Sequence, residues 1–191
     1  MNHWIIAPVI LPALAARPLA LVSERRELQR RIGCAAVLLQ MLIACVLLND
    51  SVQGEVIAYA LGDWLAPFGI VLVLDRLSAM MLLTTSVLAV FCLFHALRGA
   101  DVKGRFFHPL FQFQLMGLNG AFLTGDLFNL FVFFEVLLIS SYGLLFHGGG
   151  WSRMRGGLPF CGFNLIGSVL FLIGVGSLHA GFIAAKRILL R

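Results

Sequence analysis

Apolar residues in this chain do not alternate with polar ones; they run in blocks of about twenty, with the charged residues gathered between the blocks. A lipid-spanning helix needs roughly 20 predominantly apolar residues, because the hydrocarbon core is about 30 Å thick and every backbone polar group must be bonded within the segment. The pattern predicts an all-α polytopic membrane bundle over residues 1–178. Its helices are expected at about 4–22, 32–48, 77–97, 107–123, 127–146 and 158–178, followed by a basic tail at 179–191. Pro8, Pro12, Pro18 and Arg17 interrupt the first block. It reads as a retained helix rather than a cleaved leader, because the basic residues follow the apolar stretch instead of preceding it.

The run from Leu110 to Phe146 holds only Asp126 and Glu135 as charges and is too long for one span. Thr124-Gly125-Asp126 is its natural break: glycine turns the chain, and the Asp126 carboxylate suits the free N–H groups of a following helix. Pro109 falls in the first turn of the preceding helix, where a missing N–H costs little. Gly148-Gly149-Gly150 is expected to form a flexible loop before the sixth helix, which should start near Leu158-Pro159. Leu65–Leu74 is apolar but too short to cross, and with Pro67 and Gly69 it reads as a surface hairpin or interfacial stretch packed on the bundle.

Composition narrows the class. Of 191 residues, 60% are hydrophobic and 12% charged, and 17 are Phe, which excludes a disordered chain and a soluble globule. The net charge of +5 sits in short clusters between blocks rather than in a groove, so it sets topology and implies no nucleic-acid partner. Arg25, Arg26, Arg30 and Arg31, then Arg98, Lys103 and Arg105, then Arg153 and Arg155 occupy alternate connections. Asn49–Leu74, by contrast, has acids and no Lys or Arg before its end. The basic connections are expected in the cytoplasm and the N-terminus outside. Lys186, Arg187 and Arg191 break this rule at the far end. Three readings stand there: an incomplete sixth span, a short basic helix on the outer surface, or a sequence foreign to the bundle. Cys34, Cys45, Cys92 and Cys161 lie inside apolar blocks with no CxxC pair, which suits small buried hydrophobes and suggests no metal or redox centre.

Glu135 is the residue that asks for chemistry. It lies mid-way along the fifth block, between Phe133-Phe134 and Val136-Leu137-Leu138, where a charge is most costly. Burial disfavours an ionised carboxyl and a nearby cation restores it, so a glutamate at this depth can carry a proton. Its own helical face offers only Tyr142 as a polar neighbour. Partners from other helices would be Arg17, Asn119, His95, Asn164 or Ser168, none an obvious counter-charge. Two readings stand: proton or ion transport, or a protonated carboxyl bonded across helices for packing. Asp126 reads as a cap, Asp75-Arg76 as a local ion pair, His95 and His108 as interfacial, and Asn119 and Asn164 as inter-helix hydrogen-bonding groups. Gly162, Gly167, Gly174 and Gly176 suit close packing of the sixth helix.

Three stretches carry a resemblance: WLAPFGIVLVLDRLSAMMLL from Trp64, FHPLFQFQLMGLNGAFLTGDLFNLFVFFEVLLISSYGLLF from Phe107, and NLIGSVLFLIGV from Asn164. They resemble the N-terminal part of the D-type subunit of Mrp-type (Mnh/Pha) multisubunit cation/proton antiporters and, more loosely, the antiporter-like subunits of proton-pumping NADH:quinone oxidoreductase. The resemblance implies a bacterial inner-membrane protein taking part in proton translocation coupled to Na+ or K+ efflux, with sister subunits as partners, no cofactor and no enzymatic step. It assigns Glu135 to proton translocation, paired in the family with a lysine on a seventh helix, and so implies a truncated first part of a longer bundle. SLHAGFIAAKRILLR departs from the family's continuation, where the charge rule also fails. A non-transporting remnant and a proton-pumping subunit of an oxidoreductase-like complex are the competing readings.

Overall fold

The computed structural model describes residues 3–52, 56–61 and 70–189. After a short 3-10 turn at His3–Ile6 come α1 (Ala7–Leu21), α2 (Arg26–Val52), strands β1 (Ile57–Ala60) and β2 (Val71–Leu74), α3 (Arg76–Ala96), α4 (Phe107–Leu123), α5 (Leu127–Leu145) and α6 (Trp151–Leu189). Five helical stretches are long and apolar enough to cross a membrane: 4–21, 26–52, 76–96, 127–145 and 151–178. The remaining helix, α4, has 17 residues, at the short end of what spans a bilayer. It is the centre of the bundle, packed against α1, α3 and α5 and touching α2. The chain is a multi-pass membrane protein, with lipid rather than water as the solvent of its outer face.

Each boundary has a local cause. Asp75 precedes α3 in an extended conformation and accepts a bond from the Ser78 N–H at 2.7 Å. That replaces the expected Asp75-Arg76 ion pair: the carboxylate is spent on the helix end, and Arg76 is exposed. Asp126 caps α5 in the same way, accepting from the N–H groups of Phe128 and Asn129 and from the Asn129 side chain. Gly148, Gly149 and Gly150 all have positive φ, and only glycine takes three such values in succession at little cost. This reversal starts α6 at Trp151, seven residues before the expected Leu158. Pro159 stands inside the helix, which also runs past Leu178 to Leu189 without a break. The start moves because Arg153 and Arg155 are exposed at the helix end, where nothing requires the helix to be as short as the hydrocarbon is thick.

Of the stretch expected as a hairpin or interfacial piece, 65–69 lie outside the described residues, and Val71–Leu74 is one strand of a hairpin whose other strand precedes that stretch. β1 and β2 pair antiparallel, with Ile57 opposite Leu74 and Ala60 opposite Val71, and the turn between them lies outside the described residues. Its inner face is not at the surface: Leu72 and Leu74 are fully buried. They join Ile5, Val9, Ile43, Leu47, Leu82, Leu123 and Phe133 in the main apolar core. The Val71 carbonyl accepts from the Gly125 N–H at 2.8 Å, so the hairpin also satisfies the α4–α5 turn.

Close helix approach occurs on α4 and α5. A Cβ on Gly117 would meet Leu137 Cβ at 2.8 Å and the Leu137 backbone nitrogen at 2.9 Å. On α6, Gly162, Gly167, Gly174 and Gly176 have no neighbouring atom among the described residues within 4 Å of where a Cβ would stand. The cysteines differ as well, since Cys45 and Cys92 are exposed on the outer face and only Cys34 and Cys161 are half-buried. A thiol is apolar enough to face lipid, so neither position needs a pocket.

Candidate functional site

α5 presents Glu135 towards α6. The two helices run antiparallel along one narrow stripe, with Tyr142 edge-on to Phe160 at one end and Phe131 stacked on Phe171 at the other. Glu135 lies between these contacts and is half-buried. Its Oε1 accepts a hydrogen bond from the Ser168 hydroxyl. Of the partners considered from sequence, the structure brings Ser168 to the carboxylate. Asn164 stands beside the Tyr142 hydroxyl rather than at the carboxylate. Arg17 and His95 are exposed on α1 and α3, and Asn119 is turned to α1. Among the described residues, no Lys, Arg or His forms an ion pair with Glu135.

A hydroxyl donor is a weak substitute for a cation. It orients one carboxylate oxygen and brings no charge. Among the described residues, Glu135 thus has a neutral hydroxyl and no cation as its polar partner.

A second polar group stands at the basic end of the bundle. Arg30 of α2 grips Asp101, in the α3–α4 connection, with two bonds: Nε to Oδ2 at 2.6 Å and Nη2 to Oδ1 at 3.0 Å. The His108 Nε2 lies 3.6 Å from Oδ2. Burial pushes the Asp101 carboxyl up, but the Arg30 bonds, the Arg30 charge and His108 together hold it below the usual aspartate range. His108, at the start of α4, is 3% exposed: Gly33 of α2 leaves room for the ring to turn inward against the Asp101 carboxylate. Gln29 adds a bond to the Leu19 carbonyl at 2.7 Å and one to the Arg105 carbonyl at 3.2 Å. These contacts, with Lys103 and Arg153 both against Gly148, gather the three basic connections at one end.

Sequence reasoning passed over Asp101, Gln29, Gln40 and Gln112. The signal available was an uncharged amide deep inside an apolar block: Gln40 in α2, and Gln112 one turn above His108 in α4.

Comparison with known proteins gives the site its context. The chain matches no family model. It is 47% identical over 186 residues to a probable K(+)/H(+) antiporter D-type subunit of Rhizobium meliloti, covering 94% of this chain and 34% of that one. It is 41% identical to the Na(+)/H(+) antiporter D-type subunit of Alkalihalophilus pseudofirmus, covering 94% of this chain and 37% of the relative. Among solved structures, the Mrp complex from a Dietzia species superposes with a TM-score of 0.86 at 34% identity, over 92% of this chain and 34% of the other. An archaeal membrane-bound sulfane sulfur reductase, a respiratory complex, gives 0.83 at 27% identity, over 89% and 36%. The resemblance read from sequence thus holds over nearly all of this chain, which spans about a third of the length of the curated relatives it matches.

Proposed function

We propose that this chain, related over nearly its whole length to the D-type subunit of Mrp antiporters, works as a membrane component of a multisubunit monovalent cation/proton antiporter. Glu135 is its proton-carrying carboxyl. One observation carries the reading: an acidic side chain half-buried in the middle of α5, held by the Ser168 hydroxyl and lacking a cation among the described residues. The relatives' names support coupling to Na+ or K+ and a role in transport rather than enzymatic catalysis. Gathering of the basic connections at one end supports a cytoplasmic face there and an N-terminus on the other side. The cation opposite Glu135 comes from the rest of the assembly.

The test is E135Q in the assembled antiporter, with sodium- or potassium-dependent proton exchange followed in everted vesicles. Loss of exchange with normal assembly is expected; wild-type exchange in the variant would sink the proposal.

The missing counter-charge also favours a second reading, in which this chain docks in the assembly without carrying protons. That reading predicts cation-dependent exchange that is indifferent to E135Q, so the same vesicles separate the two.

A further inference from the structure

A separate row of buried polar groups runs along α4 on the side away from α6. His108, Gln112 and Asn119 follow one another at steps of four and seven residues, which places them on one helical face. They are 3%, 1% and 0% exposed.

α2 and α4 run parallel, since Arg30 and Gln29 near the start of α2 hold Asp101 and Arg105 just ahead of α4. The register is fixed one turn further on: a Cβ on Gly33 would stand 2.8 Å from the His108 Nδ1. From that level Gln40 is two turns along the same face of α2, about 10.5 Å higher at 1.5 Å per residue. Gln112 lies about 6 Å above His108 on the same count, and Asn119 about 16.5 Å. Gln40, 1% exposed, therefore falls in the gap that α4 leaves between Gln112 and Asn119.

All four side chains hold buried polar atoms with no hydrogen-bond partner among the described residues: both ring nitrogens of His108, both amide atoms of Gln40, the Gln112 Oε1 and the Asn119 Oδ1. Orphan groups of this kind, stepped by about 4.5–6 Å along the helix axes, are on the scale of the two-bond span of a bridging water. At Gln40, where both amide atoms lack a partner, a leucine would serve better if the position were only packing.

We propose that α2 and α4 enclose a file of bound water molecules, held by His108, Gln112, Gln40 and Asn119, that leads from the basic end into the middle of the bundle. His108 stands at its mouth, faced by Asp101 and Arg30 and with His147 nearby. Its ring is the titratable group of the row, and the file provides the hydrogen-bonded oxygens along which a proton moves inward. The row does not include Glu135 and does not depend on its role.

The experiment is water-to-side-chain magnetisation transfer by NMR on the full chain, isotopically labelled and reconstituted in lipid nanodiscs. Transfer to the His108 ring and to the Gln112, Gln40 and Asn119 amides is expected to exceed several-fold that to Leu42, an outward-facing residue of α2. Gln112→Leu should cut transfer to Gln40 and Asn119 several-fold and leave His108 unchanged, while E135Q should alter none of them. Transfer at the Leu42 level throughout would overturn the proposal, as would equal transfer to Gln40 and Asn119 with and without Gln112. Should Gln112→Leu fail to fold, the wild-type comparison with Leu42 decides alone.

Discussion

The Asn119 side-chain amide donates to the Pro8 carbonyl at 3.0 Å, where Pro12 has removed the donor that α1 would otherwise supply. An interior proline leaves the carbonyl four residues earlier without its helical N–H. In a membrane that orphan needs a partner from another helix. Asn119, fully buried on α4, is that partner and locks α1 to the centre of the bundle.

Replacing Asn119 by Leu should therefore lower stability by about 1 kcal/mol, as inter-helix side-chain bonds in membranes do. The loss should shrink when Pro12→Ala is added, because the new N–H at position 12 can serve the Pro8 carbonyl. Denaturant unfolding in mixed micelles of the two singles and the double measures this, and an additive double would contradict it.

Glycine on α4 and glycine on α6 should respond oppositely to a methyl group. Gly117→Ala drives its Cβ into the Leu137 backbone, which cannot rotate aside, and should cost about 1–3 kcal/mol. Gly167→Ala meets nothing within 4 Å and should be neutral or stabilise by up to about 1 kcal/mol, the helix-propensity gain. The same unfolding assay ranks them.

The Arg30–Asp101 clamp predicts an acid limb. Asp101 is held below its ordinary range in the folded protein, so the stability it adds is complete above the unfolded aspartate value near 4 and fades as pH falls through the folded one. Asp101→Asn should flatten that limb. Arg30→Ala should cost more, about 3–5 kcal/mol at neutral pH, because it strands a buried carboxylate. Melting temperature against pH distinguishes the variants.

Asp75→Ala removes the cap of α3 and should cost about 0.5–2 kcal/mol, whereas Asp75→Asn keeps an acceptor for the Ser78 N–H and should cost less. Hydrogen exchange of the first turn of α3 reads the difference, and equal protection in both variants would show that the cap is idle.

How much of this is legible in the sequence follows from the range of the interactions. Thr124-Gly125-Asp126 announces its turn, since a cap and its helix are neighbours along the chain. Glu135 stands out against an apolar block. Ser168 is one of several candidate partners, and only the pairing of α5 with α6 selects it. The Asp101–Arg30–His108 group is hidden, because its members lie up to 78 residues apart and each looks like an ordinary polar residue at a helix end. The glycines of α6 meet no neighbour among the described residues, so their spacing alone does not say what packs there. The start of α6 is misjudged because Pro159 looks like a first-turn proline and lies inside the helix.

The bundle is dielectrically lopsided. Its basic half is laced with amides, a buried ion pair and an imidazole, while the half beyond Asn119 is stoppered by Ile5, Val9, Leu47, Leu72, Leu74, Leu82 and Leu123. A voltage across such a body does not fall evenly: little drops along the polarisable half and most across the oily stopper. Crossing the full field is worth about 2.3 kcal/mol per elementary charge per 100 mV. Along the proposed water file, a proton reaching the level of Asn119 from the arginine side would have covered much of the distance and little of the voltage.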